Sequence, residues 1–152
     1  MKYKILFSVL VILFVFLLAS GTAFAVPVEI RTTDDLMKID DSATNLSLDY
    51  ILMNDIDFKG KTFTPIGNPS SPFTGTFNGN DYTISNITFN STRYYVGLFG
   101  YASNAEFNDV VLKDVNVRGA NFVGGLLGQG SNVSIKDCSI ESSESSNSIV
   151  IG

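Results

Sequence analysis

The feature that most constrains this chain is a short phrase that returns. Gly97-Leu98-Phe99-Gly100 and Gly125-Leu126-Leu127-Gly128 lie about 28 residues apart, and the match continues beyond them. Ser103-Asn104 falls on Ser131-Asn132, Phe107 on Ile135, Asp109 on Asp137, Val110 on Cys138 and Leu112 on Ile140. A fixed period of this length marks a solenoid, in which each repeat is a turn that cannot bury its apolar side alone.

The repeated segments alternate apolar and polar residues and are rich in Ile, Val, Phe and Thr, which reads as short strands with one buried face. Ile84-Ser85-Asn86-Ile87-Thr88-Phe89 shares the pattern apolar, any, Asn or Asp, apolar, any, apolar. Aligned on that pattern, Asn86, Asp109 and Asp137 stack at a single bend, where a polar side chain bonds its own turn or ladders between coils. Cys138 then occupies the apolar slot of Ile87 and Val110, as a small buried hydrophobe rather than a nucleophile. After Val26, only RTTDDLMKI has a helical period. Thr32 and Asp35 resemble a capping box, and Leu36 and Ile39 share a face, so a helix near residues 32 to 40 is expected to cover the first coil. The expected fold is all-β: a parallel β-solenoid of about three coils with a short N-terminal capping helix.

The glycines fit that reading. Gly97, Gly100, Gly125 and Gly128 recur at matching positions, as expected where a coil needs positive φ or a close backbone approach. A phosphate-cradling loop would need one glycine-rich turn between a strand and a helix, with a Lys or a helix N-terminus facing the anion. Here no helical pattern follows, and there are two copies.

Composition bears on address and partners. Lys2 and Lys4 precede an uncharged apolar run from Ile5 to Leu18, and Ala23-Phe24-Ala25 supplies a small-x-small cleavage site. Residues 1–25 therefore read as a secretory signal peptide, with an uncleaved membrane anchor as the alternative. Residues 26–50 are the N-terminal cap segment, 51–140 the coils, and 141–152 a polar tail or the start of a further coil. The segment 1–25 holds no acidic residue, so losing Lys2 and Lys4 takes the formal charge from −5 to −7. An acidic surface argues against nucleic acid. His and Trp are absent, and a single cysteine excludes an intrachain disulfide.

These residues together resemble proteins carrying the GLUG motif, named for a repeated Gly-Leu-any-Gly core. DDLMKI is similar to the family's opening segment. YILMNDIDFKGKTFTPIGN (50–68) and PFTGTFNGNDYTISNITF (72–89) are similar to the stretches that precede the motif, and YVGLFG and FVGGLLG to the motif itself. The resemblance implies a secreted or cell-surface, adhesin-like protein with a right-handed parallel β-helix of the pectin-lyase type. It implies no shared catalytic residues. Family members usually continue through more coils, whereas here ESSESSNSIVIG follows. SIVIG is read as the start of a strand with an open edge; either the chain is a fragment of a larger surface protein, or that end meets a partner, and self-association through it is expected.

The chemistry is sparse. Asp55 and Asp57 in NDIDF lie two apart on a strand and are the weak candidates for a metal ion or an acid–base pair. The alternative is that Ile56 and Phe58 point inward while both aspartates face water. No cofactor is expected. Asn45, Asn86, Asn90 and Asn132 begin N-x-S/T patterns, and Asn68 is disqualified by Pro69. Basic residues are few and no acidic pair recurs between coils. A non-catalytic module presenting its faces to glycans or proteins is therefore favoured over a polysaccharide lyase or hydrolase on the same scaffold.

Overall fold

A computed structural model describes residues 25–90 and 94–143. All of the expected signal segment except Ala25, and SIVIG, lie outside the described residues.

The chain winds as a parallel β-solenoid of about three turns. It opens with β1 (Val28–Ile30), inside the expected cap segment, and continues through β2 (Tyr50–Leu52) and β3 (Ile56–Asp57). One complete coil follows: β4 (Thr76–Asn78), β5 (Thr83–Ser85), β6 (Thr88–Asn90), β7 (Tyr94–Val96) and β8 (Phe99–Ser103). The next is β9 (Glu106–Asn108), β10 (Val111–Lys113), β11 (Asn116–Arg118), β12 (Asn121–Val123) and β13 (Leu127–Ser131), and β14 (Ser134–Lys136) and β15 (Ser139–Glu141) start another. Equivalent strands pair in parallel between coils. One sheet runs β1-β2-β4-β9-β14 and a second β3-β5-β10-β15, while β6–β11, β7–β12 and β8–β13 form two-stranded ladders.

The motif copies stack as the repeat demands. Leu127 lies opposite Phe99, and the Leu98 and Phe99 amides donate to the Gly125 and Leu126 carbonyls at 2.9 and 2.8 Å. Leu98 is fully buried and Leu126 is 9% exposed. Phe73, Phe77, Phe99 and Phe107 fill the interior, with Phe99–Phe107 ring centroids 4.6 Å apart. With no disulfide, this continuous apolar column and the interstrand ladders hold the coils together.

The single bend expected for Asn86, Asp109 and Asp137 divides into two. Ile84 pairs with Leu112, and Leu112 with Ile140, which places Asn86 over Asp114 and Val110 beside Cys138. The apolar–x–Asn/Asp–apolar phrase occurs at both corners of the coil from β9 onward, at Asp109 and again at Asp114, so matching it by sequence crossed from one corner to the next. The four corner residues Asn86, Asp109, Asp114 and Asp137 all take positive φ, between 53° and 58°. Cys138 therefore shares a slot with Val110 and not with Ile87, which lies over Val115.

The helical segment begins where its capping box places it. α1 (Thr33–Met37) continues into a 3-10 turn, Lys38–Asp41. The Asp35 amide donates to Thr32 Oγ1, and Asp35 Oδ2 accepts from the Thr32 amide at 3.1 Å. Leu36 and Ile39 are buried against the first coil. Among the described residues no helix is long and apolar enough to cross a membrane.

Candidate functional site

The carboxylates singled out by sequence are occupied in holding coils together. Ile56 and Phe58 are buried while Asp55 and Asp57 are exposed. Asp55 Oδ1 accepts from the Thr83 amide of the next coil at 2.8 Å. Asp57 Oδ1 accepts from Asn86 Nδ2 at 2.8 Å and from the Lys59 amide at 2.9 Å. The Asn86 bond, more than any other contact, holds the Asp57 carboxyl below its ordinary range. Asp49 ties to the Thr76 amide and Asp114 to the Ser143 amide in the same manner, at 2.8 and 2.7 Å. Among the described residues no three of His, Cys, Asp and Glu come close enough to share a metal ion.

The sequons are engaged too. Asn45 Nδ2 donates to the Lys38 carbonyl, Asn86 Nδ2 to Asp57, and Asn132 Nδ2 to Asn104 Oδ1 at 2.7 Å. The last bond is a ladder between coils, at the Ser103-Asn104 and Ser131-Asn132 match. The side chain of Asn90 lies outside what the structure describes. Cys138 is partly buried and its Sγ donates to the Lys136 carbonyl at 3.2 Å; burial pushes its thiol up, the opposite of an activated nucleophile.

A face that sequence reading did not single out has more unusual geometry. Ten non-glycine residues among those described have positive φ, and eight of them are Asn or Asp, whose short polar side chains tolerate that region. The other two are Tyr95 (63°) and Phe122 (54°), in equivalent positions between β7–β12 partners. Their rings stack with centroids 5.0 Å apart and planes 3° from parallel. Holding two bulky residues there costs about 2–6 kcal/mol, against about 0.5–1.5 kcal/mol returned by one ring pair. The stack alone does not account for aromatic side chains at these corners.

The same backbone explains the motif glycines. Their φ values are not in the left-handed region; the need is for close approach. A Cβ on Gly100 would lie 2.7 Å from the Tyr95 carbonyl oxygen, and one on Gly128 2.7 Å from that of Phe122. The second glycine of each motif thus makes room for the left-handed aromatic before it. The recurring aromatic-Val-Gly, in YVG and FVG, was the available signal.

Tyr94 is 58% exposed, Phe122 47%, and Tyr95 and Tyr101 are half-buried. Tyr94 and Tyr101 meet Tyr95 at 6.3 and 5.8 Å between centroids. Beside Tyr94 and Tyr95 is an open cavity of about 240 Å³, also lined by Asp40, Thr64, Pro65 and Asn68. Asp40 Oδ1 accepts from the Gly67 amide at 2.9 Å, and Asn68 Oδ1 from the Ser70 and Ser71 amides. On another side a polar groove of about 410 Å³ runs across coils between Asp49, Thr74, Asn104, Glu106, Asn132 and Ser134.

Among characterised proteins, the chain is similar to a protein called halomucin from Haloquadratum walsbyi. The two are 38% identical over 87 residues, covering 49% of this chain and 1% of halomucin. No family model matches the chain, and no solved structure matches it.

Proposed function

We propose that the chain is a non-catalytic module of a secreted or cell-surface repeat protein, with the GLUG motif on a right-handed β-helix of the pectin-lyase type, and that its exposed faces bind glycan or protein. The observation that carries this reading is where the carboxylate oxygens go. Asp49, Asp55 and Asp114 each accept a backbone amide of the following coil, and Asp57 an Asn86 side chain. A glycoside-cleaving pair would face a common space with at least one proton-carrying carboxyl. The similarity to halomucin and the parallel solenoid fit a surface repeat protein.

The test is incubation of the purified full-length chain with pectate and a panel of acidic polysaccharides, assayed for new chain ends, beside a glycan-array binding measurement. Binding without cleavage is expected. Cleavage of any substrate would overturn the reading.

A second copy is the proposed partner at the C-terminal edge. Among the described residues no strand lies beyond β14 and β15, and Ile135 and Ile140 on them are 50% and 39% exposed. Unpaired strand edges beside apolar side chains favour pairing with a like edge.

A further inference from the structure

We propose that the cavity beside Tyr94 and Tyr95 binds a neutral hexopyranose unit, the apolar face of the sugar lying on tyrosine and its hydroxyls meeting Asp40, Thr64 and Asn68. The proposal rests on the binding reading above and gives it a place and a ligand class.

Three observations converge. The first is the backbone: Tyr95 and Phe122 stand in left-handed corners where every other non-glycine residue described is Asn or Asp. Strain of this kind persists where a side chain's position is used. The second is the available surface. Phe122 covers one face of Tyr95, and Tyr94 is set at 45° to it and largely exposed, which offers flat aromatic surface at the cavity. At about 240 Å³ the space is below the usual range of roughly 300–1,000 Å³ for larger ligands, and suits a small unit of a chain that continues into solvent.

The third is the unused hydrogen-bonding capacity. Asp40 Oδ1 and Asn68 Oδ1 are taken by backbone amides, while among the described residues Asp40 Oδ2 and Asn68 Nδ2 have no partner. An acceptor and a donor on one rim match hydroxyl groups, which donate and accept. Among the described residues Asp40 is the one charged group lining the cavity, which disfavours a uronate there. Among the described residues two aromatic rings line it, and it is open, unlike the enclosing cage that holds a quaternary ammonium.

Titration of the full-length chain with cellotetraose, tetragalacturonate and choline, read by ligand-observed NMR and tyrosine fluorescence, tests this. Cellotetraose should bind, with the other two at least about tenfold weaker. Tyr94→Ala should weaken cellotetraose at least about tenfold, and Tyr95→Phe should retain it. Tyr95→Asn should lose binding while melting no lower than the parent, because Asn is at home in the left-handed region. Equal cellotetraose affinity in Tyr94→Ala and Tyr95→Asn would overturn this site and leave the binding reading standing. Absence of cellotetraose binding, or preference for either charged probe, would overturn the ligand class. Cleavage of the tetramer would overturn the non-catalytic reading and the proposal with it.

Discussion

The Tyr95 carbonyl oxygen lies where a side chain on Gly100 would begin, 2.7 Å from the position of a Cβ. The Gly67 carbonyl oxygen is equally close on another side, and both obstacles are backbone. Gly100→Ala should therefore force the β7–β8 corner to shift, at a cost of about 1–3 kcal/mol, the range for overpacking. A thermal melt checks this. A melting temperature equal to the parent's would mean that the corner yields freely.

Leu98 and Leu126 stack in successive coils, and the inner one has more to lose. Leu98→Ala should cost about 2–5 kcal/mol, and Leu126→Ala should fall toward the lower end, since Leu126 retains 9% exposure. Denaturant midpoints of both, beside an exposed Ser131→Ala control, test the order. Because the two residues touch one column, the double variant should depart from additivity.

Acid should loosen the coils. Among the described residues four carboxyls are held below their ordinary range, Asp35 chiefly by Thr32, Asp57 by Asn86, Glu106 by Lys136 and Asp114 by the Ser143 amide. A group whose folded pKa is depressed adds stability above its unfolded value, about 4 for these residues, and loses that stability as pH falls through the folded value. Melting temperature should thus be level above about pH 5 and decline progressively below about pH 4. Asn86→Ala should flatten the decline, as it removes the bond that lowers Asp57. A variant with an unchanged acid slope would contradict that assignment.

Association should depend on the last described strands. Light scattering over a concentration series should show the parent growing in mass, and Ile135→Lys with Ile140→Lys reducing that growth. A parent that remains monomeric at high concentration would remove the proposed second copy. Ile149 and Ile151, the residues that sequence alone suggests for this test, lie outside the described residues.

Legibility followed the strength of the local signal. The repeat was readable because Gly-Leu-x-Gly is a phrase that a coil uses once, so its copies could be laid only one way. The Asn/Asp corners were misregistered because the same phrase serves two different corners, at Asp109 and at Asp114, and composition cannot distinguish one left-handed corner from another. The capping box of Thr32 and Asp35 is a contact within one turn and was read directly. Tyr95 and Phe122 were passed over because an aromatic beside Val reads as ordinary strand, and the recurring aromatic-Val-Gly marks a repeat without revealing the positive φ. The neighbours that complete the cavity, Asp40 and Asn68, are distant in sequence and come together only through the winding.

The corner between β4 and β5 holds four residues, Gly79 to Tyr82, whereas the matching corner of the next coil holds two, Asp109 and Val110. Thr76 still lies opposite Glu106, and Thr83 opposite Val111. Extra length is thus absorbed at a joint and leaves the following rungs aligned. Gly124 does the same on a smaller scale, adding one residue between β12 and β13 that β7–β8 lacks. A winding with such joints can change the outline of one edge by insertion or deletion while its interior column stays the same, so what the molecule displays can vary independently of what keeps it folded.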